Sequence, residues 1–390
     1  MVRRAQPPLK AEPFASPLHD RRVAAWLGLA LGVAFTICFV TGLISHLIQQ
    51  PPSWFVWPAR PAGLYRVTQG LHVATGIATV PLLLAKLWAV YPHLWTWPPV
   101  RSLAHAVERL SLVPLVAGSL FMLFSGVANI TRWYPWKFSF TATHYWVAWI
   151  TMGAIVAHVG AKASVTRDAL RRRSREAREA PEAPARLPVA AEGLTRRGFL
   201  ATTAAASGVL SLVTLGQTVR PLDRLGLLAP RRPKVGPQGL PVNKSAAGAK
   251  VLESARDPGY RLVVEGRVPN KLSFTLDQLR ALPQHKATLP ISCVEGWSST
   301  ADWSGVRVRD LLEMAGARPG VTVRVESLQA KGAYRSSKLN RLHAHDPDTL
   351  LALDLFDEPL HIDHGFPVRL IAPNRPGVLQ TKWVHRLVVR

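Results

Sequence analysis

The sequence predicts a multi-domain chain: an all-α transmembrane four-helix bundle, one further transmembrane helix, and then an α+β domain with a mixed sheet. Apolar residues gather in four long runs before residue 165, and a weaker fifth run follows Arg196 and Arg197. From Tyr260 onward the pattern changes to short alternating strand-like and helix-like segments. A length of 390 residues leaves room for two or three domains.

About 20 apolar residues cross a bilayer as a helix. The four strong candidates run from Ala24 to Ile48, Val67 to Val90, Leu110 to Ile130 and Tyr145 to Val165. The fifth, Phe199 to Val219, is rich in Ala, Ser, Thr and Gly, which weakens its insertion. The domain boundaries follow: 1–22 an amino-terminal tail, 23–165 a four-helix membrane domain, 166–198 a charged linker, 199–219 the fifth helix, 220–242 a second linker and 243–390 the α+β domain.

A net charge of +24 would point to nucleic acid if it were spread over one soluble domain. Much of it instead flanks the apolar runs, which excludes nucleic acid as a partner and orients the helices. Arg3, Arg4, Lys10, Arg21 and Arg22 precede the first run, and Arg167, Arg171, Arg172, Arg173, Arg175, Arg178 and Arg186 follow the fourth. By the positive-inside rule both segments are cytoplasmic. Five crossings then make a multi-pass protein of the plasma membrane with its carboxy-terminal domain extracytoplasmic. Trp54, Trp57, Trp95, Trp97, Trp133 and Trp136 fall in the short connections, where interfacial aromatic belts lie.

Imidazoles within membrane helices are costly and mark function, and ligation of haem iron from facing helices is one such function. His72 and His144 fall at similar depths near the outer ends of the second and fourth spans and could clamp one haem, with His46 competing for the place. His158 lies fourteen residues after His144, on the same face and roughly 21 Å deeper, which suits a second haem. Its partner stays open: His93 and His105 flank the inner surface, and Lys86 stands where a symmetrical bundle would carry a histidine. Histidines on spans two and four resemble the haem b membrane subunits of the cytochrome b561 type over about residues 20–165. That resemblance implies one or two haem b groups.

Thr195-Arg196-Arg197-Gly198-Phe199-Leu200 ahead of the weak fifth run resembles a twin-arginine export signal. It implies the twin-arginine translocase as an assembly partner and a domain folded around its cofactor before export.

In the last domain, Tyr260 to Gly266 reads as a strand and Phe274 to Arg280 as a helix with Thr275 as N-cap. Leu289 to Cys293 reads as a strand, with a helix from Val308 and further strands at Thr322–Glu326, Pro367–Ile371 and Val384–Val389. Only two cysteines occur, Cys38 and Cys293, in different parts of the chain, so a disulfide framework is not expected. A lone thiol outside the membrane is exposed to oxidation unless a metal holds it.

Ser292-Cys293-Val294-Glu295-Gly296-Trp297-Ser298, then Trp303-Ser304-Gly305-Val306 and Leu311-Leu312, resembles the molybdenum-cysteine segment of the sulfite oxidase superfamily. His364-Gly365-Phe366-Pro367-Val368-Arg369-Leu370-Ile371-Ala372-Pro373 resembles that family's pterin-binding stretch, and Lys382-Trp383-Val384 its lysine and final strand. The resemblance covers nearly all of 243–390. It implies a sulfite-oxidase-like fold and Mo-molybdopterin, with Cys293 as the protein ligand to molybdenum and the catalytic residue. It assigns Asn243, Ser327, His364, Arg369, Gln380, Thr381 and Lys382 to the cofactor. Asn374-Arg375-Pro376-Gly377-Val378 departs from the family's aromatic, glycine-rich loop with a lysine. The last strand ends at Arg390, so the expected likeness is to bacterial exported reductases that work with a haem membrane partner, without a dimerisation domain.

The expected activity is therefore a membrane-anchored molybdopterin-dependent oxidoreductase exchanging electrons with haem b, its substrate a small sulfoxide-like, sulfur-containing molecule. Membrane lipid and quinone are its expected partners. A sulfite-oxidising enzyme, or a metal-free exported binding or scaffold domain on a membrane anchor, are the alternatives.

Overall fold

The computed structural model describes residues 16–94, 102–179, 194–215, 220–229, 231–232 and 234–390. Trp95, Trp97, Arg186 and the tail before residue 16 lie outside the described residues, as do the side chains of His93 and His105. Among the described residues, five helices are long and apolar enough to cross a membrane: α1 (Arg21–Gln49), α2 (Leu64–Leu94), α3 (Leu103–Thr131), α4 (Phe140–Glu179) and α5 (Arg196–Leu215). The first four each contain their expected span; α5 covers the fifth up to Leu215, and 216–219 lie outside the described residues. α4 continues into the Arg-Glu-Ala-rich stretch, whose residues are good helix formers. α5 begins at the arginine pair itself.

The chain divides into two compact units, Met1–Val40 with His72–Leu212 and Thr41–Leu71 with Val213–Arg390. In the first, α3 packs on α4. Gly118 allows the approach, since Thr151 Oγ1 lies 2.3 Å from where a Cβ would stand. α1 and α2 are joined by a 2.9 Å contact of Cys38 Sγ with Thr75 Oγ1 and by Lys86 Nζ donating to Ala24 O at 2.6 Å. Phe199 and Leu200 of α5 pack with Val23, Leu27, Ala85 and Ala89. Ser211 Oγ donates to Ala74 O at 3.2 Å, and Arg196 pairs with Asp20 at 2.6 Å.

The second unit holds the α+β fold. Short helices α6 (Ala246–Ala249) and α7 (Leu252–Arg256) lead into β1 (Leu262–Gly266) and β2 (Leu272–Phe274). Next come α8 (Leu276–Ala281), β3 (His285–Ser292), β4 (Ser298–Arg307), α9 (Val308–Met314), β5 (Val323–Ser327) and β6 (Ser336–Leu339). The domain finishes with α10 (Arg341–Ala344), β7 (Leu350–Leu355), β8 (Glu358–Pro359), β9 (Arg369–Ile371) and β10 (Val384–Val389). Thr275 caps α8 in a capping box with Gln278.

Where one mixed sheet was expected, the strands form two sheets. The first, β2-β1-β10-β5-β6, is mixed because β1 and β10 run parallel; the second, β3-β4-β7-β8 with β9 on β7, is antiparallel. β7 belongs to two cores at once. Leu351 and Leu353 pack with Val264, Val325 and Leu387, while Leu350, Ala352 and Leu355 pack with Ile291, Cys293 and Trp303. Burial on both faces gives β7 a run without alternation, which hid it from periodicity.

Candidate active site

Cys293 follows the last residue of β3 and opens the turn into β4. Its N–H donates to Trp297 O at 2.9 Å and its carbonyl accepts from Gly296 N at 3.1 Å. Gly296 sits at φ 92°, a conformation that favours glycine. Ser292 Oγ and Ser298 Oγ, 3.0 Å apart, close the base of the turn. The thiol is buried. Asn243 Nδ2 donates to Cys293 Sγ and to Glu295 Oε2, both at 2.9 Å, and Arg231 Nε donates to Asn243 Oδ1 at 3.3 Å. Burial, and then the Glu295 carboxylate, push the Cys293 thiol well above its usual value. Without a metal it therefore keeps its proton; a bound cation would displace it.

Arg369, on β9, is buried with its guanidinium 5.3 Å from the Trp303 ring centre. Nη1 donates to His364 O at 3.0 Å, while Nε is buried with no partner. Lys382 Nζ donates to Lys244 O and, at 2.8 Å, to Asp363 O, and lies 4.5 Å from the Trp383 ring centre. Burial, then Arg369, push Lys382 down to about 7, and burial alone brings Arg369 down to about 10. Arg375, five residues before Gln380, is also buried, brought to about 10, with an unpartnered Nε.

The remaining expected residues divide between this cluster and the scaffold. Ser327 Oγ donates to Lys382 O at 2.8 Å and accepts from Gln329 N and Nε2, each at 3.2 Å. Gln329 Oε1 in turn accepts from Lys244 Nζ at 2.5 Å. His364 Nε2 donates to Pro237 O at 2.7 Å, and burial holds the ring neutral, down to about 4. Gln380 has a different occupation: its Oε1 accepts from Ala372 N at 2.7 Å and its Nε2 donates to Ala372 O at 2.9 Å. Thr381 Oγ1 meets Ser337 Oγ at 2.7 Å. These two side chains hold strands together, so what 380–382 offer a ligand comes from Lys382 and backbone.

Sequence reading passed over Glu295, Trp303, Lys244, Gln329 and Arg375. It also passed over Tyr65 and Gln69, which join the same unit from the start of α2. Gln69 Nε2 donates to Val294 O at 3.0 Å, next to Cys293. A glutamine early in an apolar span was the one local sign of this contact.

Molybdopterin carries a phosphate, and its dithiolene is anionic. Arg369, Arg375 and Lys382 make no ion pair with a carboxylate among the described residues. Buried cations without counter-ions are unfavourable alone and favourable around an anion. Orphaned Nε atoms of Arg369 and Arg375 and orphaned indole N–H groups of Trp297 and Trp303 add donors. The residues present fit the cofactor.

In the first unit the His72 and His144 ring centres are 6.5 Å apart. His72 Nδ1 donates to Cys38 O and His144 Nδ1 contacts Ser125 Oγ, both at 2.9 Å, so Nε2 is the nitrogen each ring would offer a metal. Two imidazoles sharing one metal at about 2 Å per bond have centres about 6 Å apart, so this pair fits a haem iron. His158 lies further along α4 and half-buried, in no described cluster of three or more metal-binding side chains.

Residues 249–390 match the family model described as Oxidoreductase molybdopterin binding domain. Mitochondrial sulfite oxidase of Drosophila melanogaster is 35% identical over 155 residues, 33% of this chain and 27% of that protein. An Azospira oryzae protein described as a protein-methionine-sulfoxide reductase subunit, YedZ1, is 34% identical over 130 residues, 33% of this chain and 48% of that protein. Among solved structures, the sulfane dehydrogenase SoxCD of Paracoccus pantotrophus aligns at 26% identity over 34% of this chain and 38% of that one, with a TM-score of 0.32. The chain spans between about a quarter and a half of the curated relatives' length. Its carboxy-terminal part is a molybdopterin-binding oxidoreductase domain, similar to part of the sulfite oxidases.

Proposed function

We propose that this chain is a membrane-anchored molybdenum oxidoreductase that reduces small sulfoxide-like molecules at an extracytoplasmic site, fed with electrons through haem b. The carrying observation is Cys293, buried and hydrogen-bonded by Asn243, beside Arg369 and Lys382, which form no ion pair with a carboxylate among the described residues. Molybdopterin would supply the oxygen-atom and electron-transfer chemistry. The protein's part is to hold and orient. Cys293 supplies sulfur, Asn243 fixes that sulfur and Glu295 together, and Arg369 and Lys382 offset the cofactor's negative charge. His364, neutral and tied to Pro237, presents its carbonyl to Arg369 and so sets the guanidinium's position.

His72 and His144 are the proposed haem ligands, and His158 is kept for a second haem. Lipid, quinone and the twin-arginine translocase follow as partners from the apolar helices, the proposed haem and the arginine pair. The reductase direction is supported by the relative described as a methionine-sulfoxide reductase subunit. The sulfite oxidase relatives support the reverse, oxidation of sulfite.

The test is elemental analysis and a visible spectrum of the full chain purified in detergent from cells supplied with molybdate. We expect about one molybdenum per chain and a haem b spectrum. Cys293→Ser loses molybdenum and keeps haem; His72→Ala does the opposite. Turnover with methyl sulfoxides against sulfite fixes direction. Wild-type protein without molybdenum overturns the proposal.

A further inference from the structure

The connection between α1 and α2 is built into the second unit by polar contacts, two sets of which lead towards Cys293. Trp57 Nε1 donates to Asn374 O at 2.9 Å, Asn374 Nδ2 to Pro58 O at 2.7 Å, Asn374 N to Ala62 O at 3.1 Å, and Tyr65 N to Asn374 Oδ1 at 2.7 Å. Asn374 opens the segment in which this chain departs from its family's pattern. Two residues on, Pro376 bridges to Ser292, and Gly377 presents its backbone to Cys293, whose Cα stands 3.8 Å from where a Cβ would be. A second route is shorter. Ser45 Oγ and Tyr65 Oη are 3.2 Å apart, Tyr65 Oη donates to Gln69 Oε1 at 3.3 Å, and Gln69 Nε2 donates to Val294 O. Gln69 and Tyr65 are both buried, so neither side chain has water as an alternative partner.

From these contacts we infer that Gln69 is a positioning residue for Cys293. The turn from Cys293 to Trp297 has its inner groups satisfied by itself, through Cys293 N and O. Its outward groups are held from elsewhere in sequence: Glu295 by Asn243, and the Val294 carbonyl by Gln69. A turn closed by its own hydrogen bonds at Cys293 and anchored from outside at the two residues that follow is restrained in rotation, so the Sγ direction is set before any metal arrives. With both ends of its amide committed, Gln69 transmits the placement of the α1–α2 connection to the metal-binding turn. The role in metal binding rests on the proposed function; the pinning of the turn does not.

The experiment compares full-length wild type, Gln69→Leu and Thr68→Ala. Thr68, whose hydroxyl bonds only the preceding turn of its own helix, reports general disturbance of α2. Amide hydrogen exchange at 294–297, in protein from molybdate-starved cells, reads the pinning without metal. The molybdenum electron paramagnetic resonance signal of loaded protein reads the sulfur's orientation. For Gln69→Leu we expect exchange in the turn roughly two- to tenfold faster, with β10 unchanged, since an anchor worth about one hydrogen bond is lost. We also expect a shifted resonance signal, and kcat lowered roughly ten- to a hundredfold with KM little changed. Thr68→Ala should match wild type. Unchanged exchange in Gln69→Leu overturns the inference whether or not wild type binds molybdenum, and a resonance signal superimposable on wild type overturns it in loaded protein.

Discussion

Asn374 is the clearest place to test how the α1–α2 connection is held. It is buried at 2% exposure, sits at φ 54°, and uses its side chain on two groups 309 and 316 residues away. Tyr65 is in the first turn of α2, where backbone N–H groups have no helical acceptor, so Asn374 Oδ1 caps that helix from the far end of the chain. Asn374→Ala removes the cap, at about 1 kcal/mol. It also strands the Pro58 carbonyl, at about 1–3 kcal/mol, and puts a Cβ in the left-handed region that asparagine tolerates better, at about 1–2 kcal/mol. Together these amount to roughly 3–6 kcal/mol. Asn374→Gly suffers the first two losses without the third, so it should be the milder by about 1 kcal/mol. Asn374→Asp keeps the acceptor, now charged at a helix N-terminus, and loses only the bond to Pro58. The expected order of stability is wild type, then Asp, Gly and Ala. Hydrogen exchange across residues 55–66 of the full chain in detergent measures it. If the Ala variant exchanged there as slowly as wild type, or the Gly variant exchanged faster than Ala, the capping account would be wrong.

Arg60 makes a two-pronged contact with Asp346 and Asp348, yet half its side chain is exposed, so Arg60→Ala should cost no more than about 1 kcal/mol. Thermal unfolding in low and high salt checks this; the difference from wild type should shrink as salt rises. His343 and His364 are held neutral by burial, down to about 3 and about 4. The unfolded chain takes up their protons below about pH 6.5 while the folded domain does not, so stability falls from pH 6.5 towards 4 by up to a few kcal/mol for each. Denaturation midpoints at pH 7 and 4.5 should differ accordingly, and less in His343→Gln. Asn243→Asp would set a second carboxylate against Glu295 and the Cys293 sulfur, unfavourable by roughly 4 kcal/mol at an effective dielectric of about 20. Molybdenum per chain should drop severalfold, and occupancy equal to wild type would count against Asn243 as the sulfur's partner.

The segment around Cys293 was legible because its chemistry is local. Cys293, Glu295 and Gly296 occupy one turn, and the turn needs glycine at a positive φ. Arg369, His364 and Lys382 were found by motif, and the structure brings Arg369 to His364 and Lys382 to Ser327. Gln380 and Thr381 belong to the same motif, but their side chains clasp Ala372 and Ser337. Motif spacing cannot tell a strand clasp from a ligand contact, because both require a polar side chain at a buried position. The two-sheet arrangement was hidden for a related reason. β4 was not among the expected strands, and β7 lacks alternation because both its faces are buried.

By itself, then, the sequence determined the five long apolar helices, the α+β character of the last domain, and the cysteine with its nearby cations. The helices and the α+β character follow from composition and periodicity over a few dozen residues; Cys293 with Arg369 and Lys382 follows from what their motifs resemble. Tertiary structure alone decided that Tyr65 and Gln69 join residues more than two hundred positions away, and that Asn374 caps a helix from the other end of the chain. Those contacts depend on which surfaces meet once the helices and sheets have packed. A hydrogen bond across that distance leaves no periodicity, only two buried polar side chains whose partners no local pattern names.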